Sequence, residues 1–176
     1  MRREDLHTFE FTRARIARQT IGSGEALVND GYILLIEDRG EDIELTLRAF
    51  EKTGITNRIE VVHDGLEALA FLEGAHPFAE RSRGQGPAMV LLDVNLPRMN
   101  GIQLLQKIRH MERLRYVPII MITSSNEERD LKAAYDAGAN SYIRKPVSST
   151  DFGALIYRLC AYWLQANEPP PTFGRI

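Results

Sequence analysis

Five side chains stand where chemistry is possible. Glu37 and Asp38 follow the apolar run YILLI, Asp93 closes AMVLLD, Thr123 closes PIIMIT, and Lys145 lies just past SYI. If those runs are strands of one parallel sheet, their carboxyl ends line the crevice where such sheets bind ligands. Three acids brought to one rim repel one another unless a cation joins them. All the donors are oxygens, which selects a hard ion. Mg2+ fits best, because it takes one or two protein carboxylates, keeps water, and uses phosphate oxygens for the rest. A carboxylate beside such an ion can accept a phosphoryl group, since that transfer asks chiefly for alignment and for neutral surroundings around three equatorial oxygens. Asp93 is the candidate acceptor, with Thr123 supplying a hydroxyl and Lys145 an ammonium. Singly, each residue has a plainer reading: Glu37-Asp38 and Thr123 as helix caps, Asp93 as the start of a loop, Lys145-Pro146 as ordinary loop sequence. Their joint placement at the ends of successive strands is the signal.

The elements that must position them are legible from residue 32 onward. Strands are predicted at 32–37, 59–62, 88–93, 118–123 and 141–143, separated by amphipathic helical stretches. That alternation is the pattern of a parallel sheet covered on both faces. Ile43, Leu47 and Phe50 mark the first helix face, Leu66, Leu69 and Ala70 the second, and Ile102, Leu105 and Ile108 the third. The last helix is marked by Phe152, Leu155, Ile156, Leu159, Cys160 and Trp163. Asn100 with Gln103, and Ser125 with Glu128, are spaced as capping boxes, and Gly54, Gly74 and Gly138 fall at expected helix ends.

The 176 residues suit one domain, and a net charge of -2 gives no electrostatic reason to expect nucleic acid or an anionic membrane as partner. Residues 1–30 carry balanced charges and read as a polar extension, 31–167 as the folded unit, and 168–176 as a Pro-rich tail. Residues 74–87 form a long Gly/Pro/Arg-containing loop. Cys160 lies in an apolar helical pattern and reads as core packing. His63, His76 and His110 fall on different elements, which argues against a histidine site. With no signal-like or membrane-spanning run, a cytoplasmic location is expected.

The motifs ILLIED, VLLDVNLPRMNG, PIIMITSS and AGANSYIRKPV resemble the receiver domains of two-component response regulators. Thr123 follows Asp93 by 30 positions and Lys145 follows Thr123 by 22, as in that family. The resemblance implies a flavodoxin-like (βα)5 doubly wound α/β fold with strand order 2-1-3-4-5. It implies Asp93 as phosphoacceptor and Mg2+ as cofactor. The ion would be bound by Asp38 and Asp93, by Glu37 mainly through water, and by the backbone carbonyl of Asn95. Thr123 and Lys145 would bind the phosphoryl oxygens, and Tyr142 would occupy the switch position with Thr123. A sensor histidine kinase or a phosphotransfer protein is the implied donor. The ending YWL and the long loop are similar to small receivers paired with phytochrome-type kinases, which implies a homodimer through the face of the fourth helix, fifth strand and fifth helix.

Three rival functions share parts of the pattern. A haloacid-dehalogenase-like aspartyl-phosphate hydrolase needs a second acid two residues after the nucleophile, where this chain has Asn95. A flavodoxin-like electron carrier needs a phosphate-cradling loop after the first strand, where this chain has the acidic EDRGEDIE. A receiver that binds partners without phosphorylation commonly lacks an acid or the lysine, and here both are present.

Overall fold

The computed structural model describes residues 31–76, 78 and 86–169. The polar extension, residues 77 and 79–85 of the long loop and residues 170–176 of the tail lie outside them. Each apolar run is extended: β1 (Tyr32–Ile36), β2 (Ile59–Val62), β3 (Pro87–Leu92), β4 (Ile119–Thr123) and β5 (Ser141–Arg144). All neighbouring pairs are parallel, in the order β2-β1-β3-β4-β5, as the resemblance implies. Between the strands run α1 (Gly40–Glu51), α2 (Gly65–Glu73), α3 (Gly101–His110) and α4 (Glu128–Asp136), and α5 (Ser149–Cys160) closes the fold.

Successive strand side chains point to opposite faces, so β1 divides its residues between two cores. Tyr32, Leu34 and Ile36 pack with Phe71 of α2, Leu104, Leu105 and Ile108 of α3 and Ala134 of α4. Ile33 and Leu35 pack with Phe50 of α1 and Phe152, Ile156 and Leu159 of α5. A sheet covered on both faces cannot afford alternate polar residues, which is why β1, β3 and β4 read as unbroken apolar runs. Among the described residues, no helix is long and apolar enough to cross a membrane.

Three helices depart from the sequence expectation. In α2 the buried face is Gly65, Ala68 and Phe71, while Leu66 stays 41% exposed. Phe71 carries the larger apolar surface and stacks edge-on against Tyr32 and Phe78, each at 5.7 Å, so burying it outweighs burying Leu66. In α4 the Ser125/Glu128 box does not form, and Glu127 is an N-cap without a side-chain bond. Instead the Ser125 hydroxyl donates to Asp130 at 2.6 Å and accepts from the Glu127 N–H at 3.3 Å. At the end of α5 a π turn (Ala161–Ala166) adds one residue to the repeat, so Leu164 becomes fully packed and Trp163 only half-buried. The Asn100/Gln103 box forms as expected, and Gly54, Gly74 and Gly138 adopt φ of +72°, +69° and +92° at helix ends. Cys160 is buried, and burial pushes its thiol up to about 11, in keeping with a packing role.

One side chain ties together the connections on the α3 side. Arg109 donates to the carbonyls of Gly138 (2.9 Å), Arg115 (3.1 Å) and Val117 (2.9 Å), and to Asn140 Oδ1 at 2.7 Å. Its planar fork reaches both the α3–β4 connection and the turn after α4. Arg109→Ala leaves several carbonyls unpaired and is expected to lower stability by about 2–3 kcal/mol. Arg109→Lys should recover less than half of that in urea unfolding, and full recovery by lysine would contradict the role of the fork.

Candidate functional site

The backbone ladders continue one residue past the strands and so bring the polar residues level. Asp93 N–H donates to the Ile36 carbonyl at 3.1 Å, Glu37 N–H to Val62 at 3.1 Å, and Lys145 N–H to Thr123 at 2.8 Å. Ile36 pairs with Leu92 and Thr123 with Arg144, which fixes Glu37 beside Asp93 and Lys145 beside Thr123. Glu37, Asp93 and Thr123 are buried, while Asp38 is exposed. Glu37, Asp38 and Asp93 each present a carboxylate oxygen, all within 4.8 Å of one another.

Lys145 points into this group. Its Nζ lies 2.5 Å from Glu37 Oε2, 2.8 Å from Asp42 Oδ2 and 3.8 Å from Asp93 Oδ2, and its side chain is 11% exposed. Four carboxylates, two of them buried, face the Lys145 ammonium and the exposed Arg39 guanidinium 3.7 Å from Asp42, which leaves the group net negative. Burial raises the Glu37 carboxyl above its usual range, Lys145 pulls it back down, and Asp93 adds to the rise. For Lys145, burial opposes the charge, but hydrogen bonds to Asp42 and Glu37 and the field of Asp93 overcome it and hold the ammonium above its ordinary pKa.

Asp93 is held by its backbone. Its Oδ1 accepts from the Val94 N–H at 2.7 Å, and Gly101 N–H donates to the Val94 carbonyl at 2.9 Å. A Cβ at Gly101 would lie 1.9 Å from the Asp93 carbonyl oxygen, so only glycine lets α3 start this close. The intervening loop is clamped to α2. Arg98, at a φ of +64°, forms an ion pair with Asp64, whose carboxylate also caps α2 through Leu66 and Glu67 N–H. Asn95 is exposed on this loop, two residues beyond Asp93.

Thr123 Oγ1 accepts from the Ser125 N–H at 3.1 Å, so its own proton is free to point elsewhere. Tyr142 is partnered with Met121 in the β4–β5 register, and its ring packs on the core beneath α4. Its buried hydroxyl makes no hydrogen bond of good geometry; burial raises the phenol pKa, and the neighbouring Ser125 hydroxyl acts against that rise. Every site residue expected from the sequence therefore lies at this end of the sheet, with Tyr142 one strand removed. The described histidines His63, His76 and His110 are exposed on other elements. The sequence reading missed Asp42, in the first turn of α1 and 103 positions from Lys145. The trace it left was the acid-rich EDRGEDIE, which by itself looks like a solvated helix start.

Residues 33–157 match the model of the response regulator receiver domain. The chain belongs to that family. The receiver is similar to the probable methanogenesis regulatory protein FilR2 of Methanothrix harundinacea (strain 6Ac), with 40% identity over 152 residues, 85% of the chain and 96% of the relative. Among solved structures, the bacteriophytochrome response regulator RtBRR shares 44% identity at a TM-score of 0.63, covering 81% of this chain and 85% of that one. The phosphorylated cyanobacterial phytochrome response regulator RcpA shares 28% identity at a TM-score of 0.74, covering 80% and 99%. The receiver thus closely resembles phytochrome-associated response regulators and is a signalling protein, not a member of a classical enzyme family. The rival hydrolase and partner-only readings are not favoured by these likenesses.

Among the described residues, Lys145 is the cation paired with the buried carboxylates Glu37 and Asp93. Lys145→Ala is expected to lower stability by about 2 kcal/mol in the presence of a chelator, because buried carboxylates lose their counter-charge. Adding Mg2+ should then raise Tm by more in the variant than in the wild type. An equal or smaller rise, measured by thermal unfolding, would show that Lys145 does not neutralise a cation-binding group.

Proposed function

We propose that this receiver is a cytoplasmic switch that accepts a phosphoryl group on Asp93 from a phosphohistidine of a sensor histidine kinase or phosphotransfer protein. The observation that carries the reading is the convergence of Glu37, Asp38 and Asp93 oxygens within 4.8 Å, with Lys145 Nζ against them and the Thr123 hydroxyl at the adjoining strand end. The all-oxygen donor set and its surplus of negative charge fit Mg2+, with Glu37, Asp38, Asp93 and the Asn95 carbonyl as its holders. When bound, that ion supplies charge neutralisation between the acceptor and the incoming phosphoryl oxygens.

The chain's own groups do the rest. An Asp93 carboxylate oxygen forms the new P–O bond as the donor's bond to phosphorus breaks. With an acyl phosphate donor, one carboxylate replaces another and no proton is gained or lost; with phosphohistidine, the departing imidazole takes its proton from water. Lys145 stands 3.8 Å from Asp93, too far for a hydrogen bond to the free carboxylate, and its ammonium can turn to an added phosphoryl oxygen. Thr123 has a hydroxyl proton to donate to another. Asn95 offers no carboxylate to take a proton from an attacking water as a general base, which favours a retained phosphoryl group over rapid turnover.

Phosphorylation adds roughly two negative charges, and drawing Thr123 toward them opens room for the Tyr142 ring. The two arrangements then differ on the α4–β5–α5 face, and the phosphoryl group shifts the population between them. α4 carries the exposed Tyr135 and α5 the exposed Tyr157, with Tyr162 just beyond it, and these exposed aromatics support a homodimer through that face. The likeness to RtBRR and RcpA supports a phytochrome-type kinase as donor.

Incubation with Mg2+ and a small acyl phosphate is expected to add one hydroxylamine-labile phosphoryl group to the wild type and none to Asp93→Ala, read by intact mass. Equal labelling of both proteins would refute the assignment of Asp93. Sedimentation of the same samples is expected to show a dimer, and monomer alone at high concentration in both states would remove the dimer. A phytochrome-type kinase bearing phosphohistidine should label Asp93; failure with that kinase, alongside normal labelling by acyl phosphate, would remove the sensor assignment only.

A further inference from the structure

Lys145 is held by two carboxylates with different neighbours. Both Glu37 oxygens are engaged, Oε1 by the Arg39 N–H at 3.1 Å and Oε2 by Lys145 at 2.5 Å, and Glu37 also belongs to the cluster that can hold an ion. Asp42 stands outside that cluster and bonds Lys145 from α1 at 2.8 Å. A Glu37 oxygen given to a divalent ion cannot keep a full ionic hydrogen bond to the lysine. The ion also repels the ammonium, and a four-carbon stem freed from Glu37 can swing toward solvent.

The geometry points to Asp42 as a positioning residue for phosphoryl transfer, the anchor that keeps the Lys145 ammonium beside Asp93 once an ion has taken Glu37. This inference rests on the reading of Asp93 as phosphoacceptor. Asp42 is suited to the task because its own place is fixed. Its backbone carbonyl accepts from Thr46 Oγ1 at 2.7 Å, and its carboxylate sits in the first turn of α1, where the helix dipole favours a negative charge. Its side chain is 19% exposed, so solvent screens the Lys145 pair weakly. Arg39 approaches the same oxygen only at 3.7 Å and is itself well exposed, so it does not displace the lysine. Anchored at Asp42, the ammonium still has two N–H donors to direct toward Glu37 in the free protein or toward a phosphoryl oxygen during transfer.

The test compares wild type, Asp42→Ala and Asp42→Asn, each alone and with Lys145→Ala, in single-turnover labelling by a small acyl phosphate with Mg2+. Asp42→Ala is expected to lower the maximal rate about tenfold while shifting the half-saturating donor concentration less than about twofold, the split shown when a transition-state contact is lost. Asp42→Asn should recover part of the rate, because its amide oxygen still accepts from Lys145. With Lys145→Ala already present, neither change should slow labelling further. A readout apart from activity is the 15N signal of the Lys145 ammonium: Mg2+ should leave it protected in wild type and abolish it in Asp42→Ala. Should Asp42→Ala fail to fold, Asp42→Asn carries both comparisons. Wild-type rates in the Asp42 variants, an equal slowing in the Lys145→Ala background, or an ammonium signal indifferent to Asp42 would each overturn the positioning role. A wild type that takes no phosphoryl group on Asp93 would instead bring down the functional reading, and this inference with it.

Discussion

The structure is organised around an unbalanced charge. Glu37, Asp38, Asp42 and Asp93 face one ammonium at the carboxyl end of a sheet whose interior is otherwise apolar. Like charges this close, two of them buried, raise the free energy of the free protein, and Lys145 offsets only part of the repulsion. The remainder is a standing affinity for cations. Under the proposed function, the same feature that costs stability would prepare the pocket for a divalent ion, and the ion in turn for an anionic phosphoryl group. A core of neutral side chains would be more stable and would bind neither.

Such a cluster is held in place by structure that does not yield. Parallel pairing sets Glu37 level with Asp93 and Lys145 level with Thr123 through ladder hydrogen bonds of 2.8–3.1 Å, so the sheet itself places the backbone that carries them. The loop after Asp93 is fixed at both ends. Gly101 allows α3 to start against the Asp93 carbonyl, and Gly65 allows α2 to start against Met99, where a Cβ would come within 2.3 Å of the Met99 carbonyl. Arg98 accepts a left-handed backbone between them, a conformation that costs a non-glycine residue on the order of 1 kcal/mol. Its ion pair with Asp64 helps to offset that cost and joins the loop to the cap of α2.

How much of this was legible in the sequence follows from the range of the interactions involved. β1, β3 and β4 were readable because strands buried on both faces demand unbroken apolar runs, and the polar cluster was readable because several such residues end successive strands, although each alone has a plainer reading. Asn100/Gln103 was readable because a capping box is local. Asp42 was not, since its partner is 103 positions away and an acid in a first helical turn is ordinary. The face of α2 was misjudged because periodicity alone does not weigh Phe71 against Leu66, and their ranking depends on Tyr32 and Phe78 waiting across the gap. Ser125 was assigned to a cap by spacing, yet Asp130 competes for its hydroxyl. The π turn after Cys160 inserts a residue that no 3.6-residue pattern anticipates.

The arrangement on the β4–β5 side bears on why this site is built for a signal. Thr123 is fully buried, with an acceptor already satisfied by Ser125 and a proton left to give. Tyr142 packs nearby with its hydroxyl buried and without a well-formed hydrogen bond, a costly state for a phenol and an easy one to leave. In the proposed switch, a small displacement of Thr123 toward added negative charge would alter the space beside that ring, which sits on β5. The energy needed to tip such an element is small because the starting arrangement is itself under-satisfied. Under the proposed function, the charge surplus where β1 and β3 end and the buried phenol on β5 are two parts of one device. The first would set what the pocket binds, and the second would make the outer surface responsive to it.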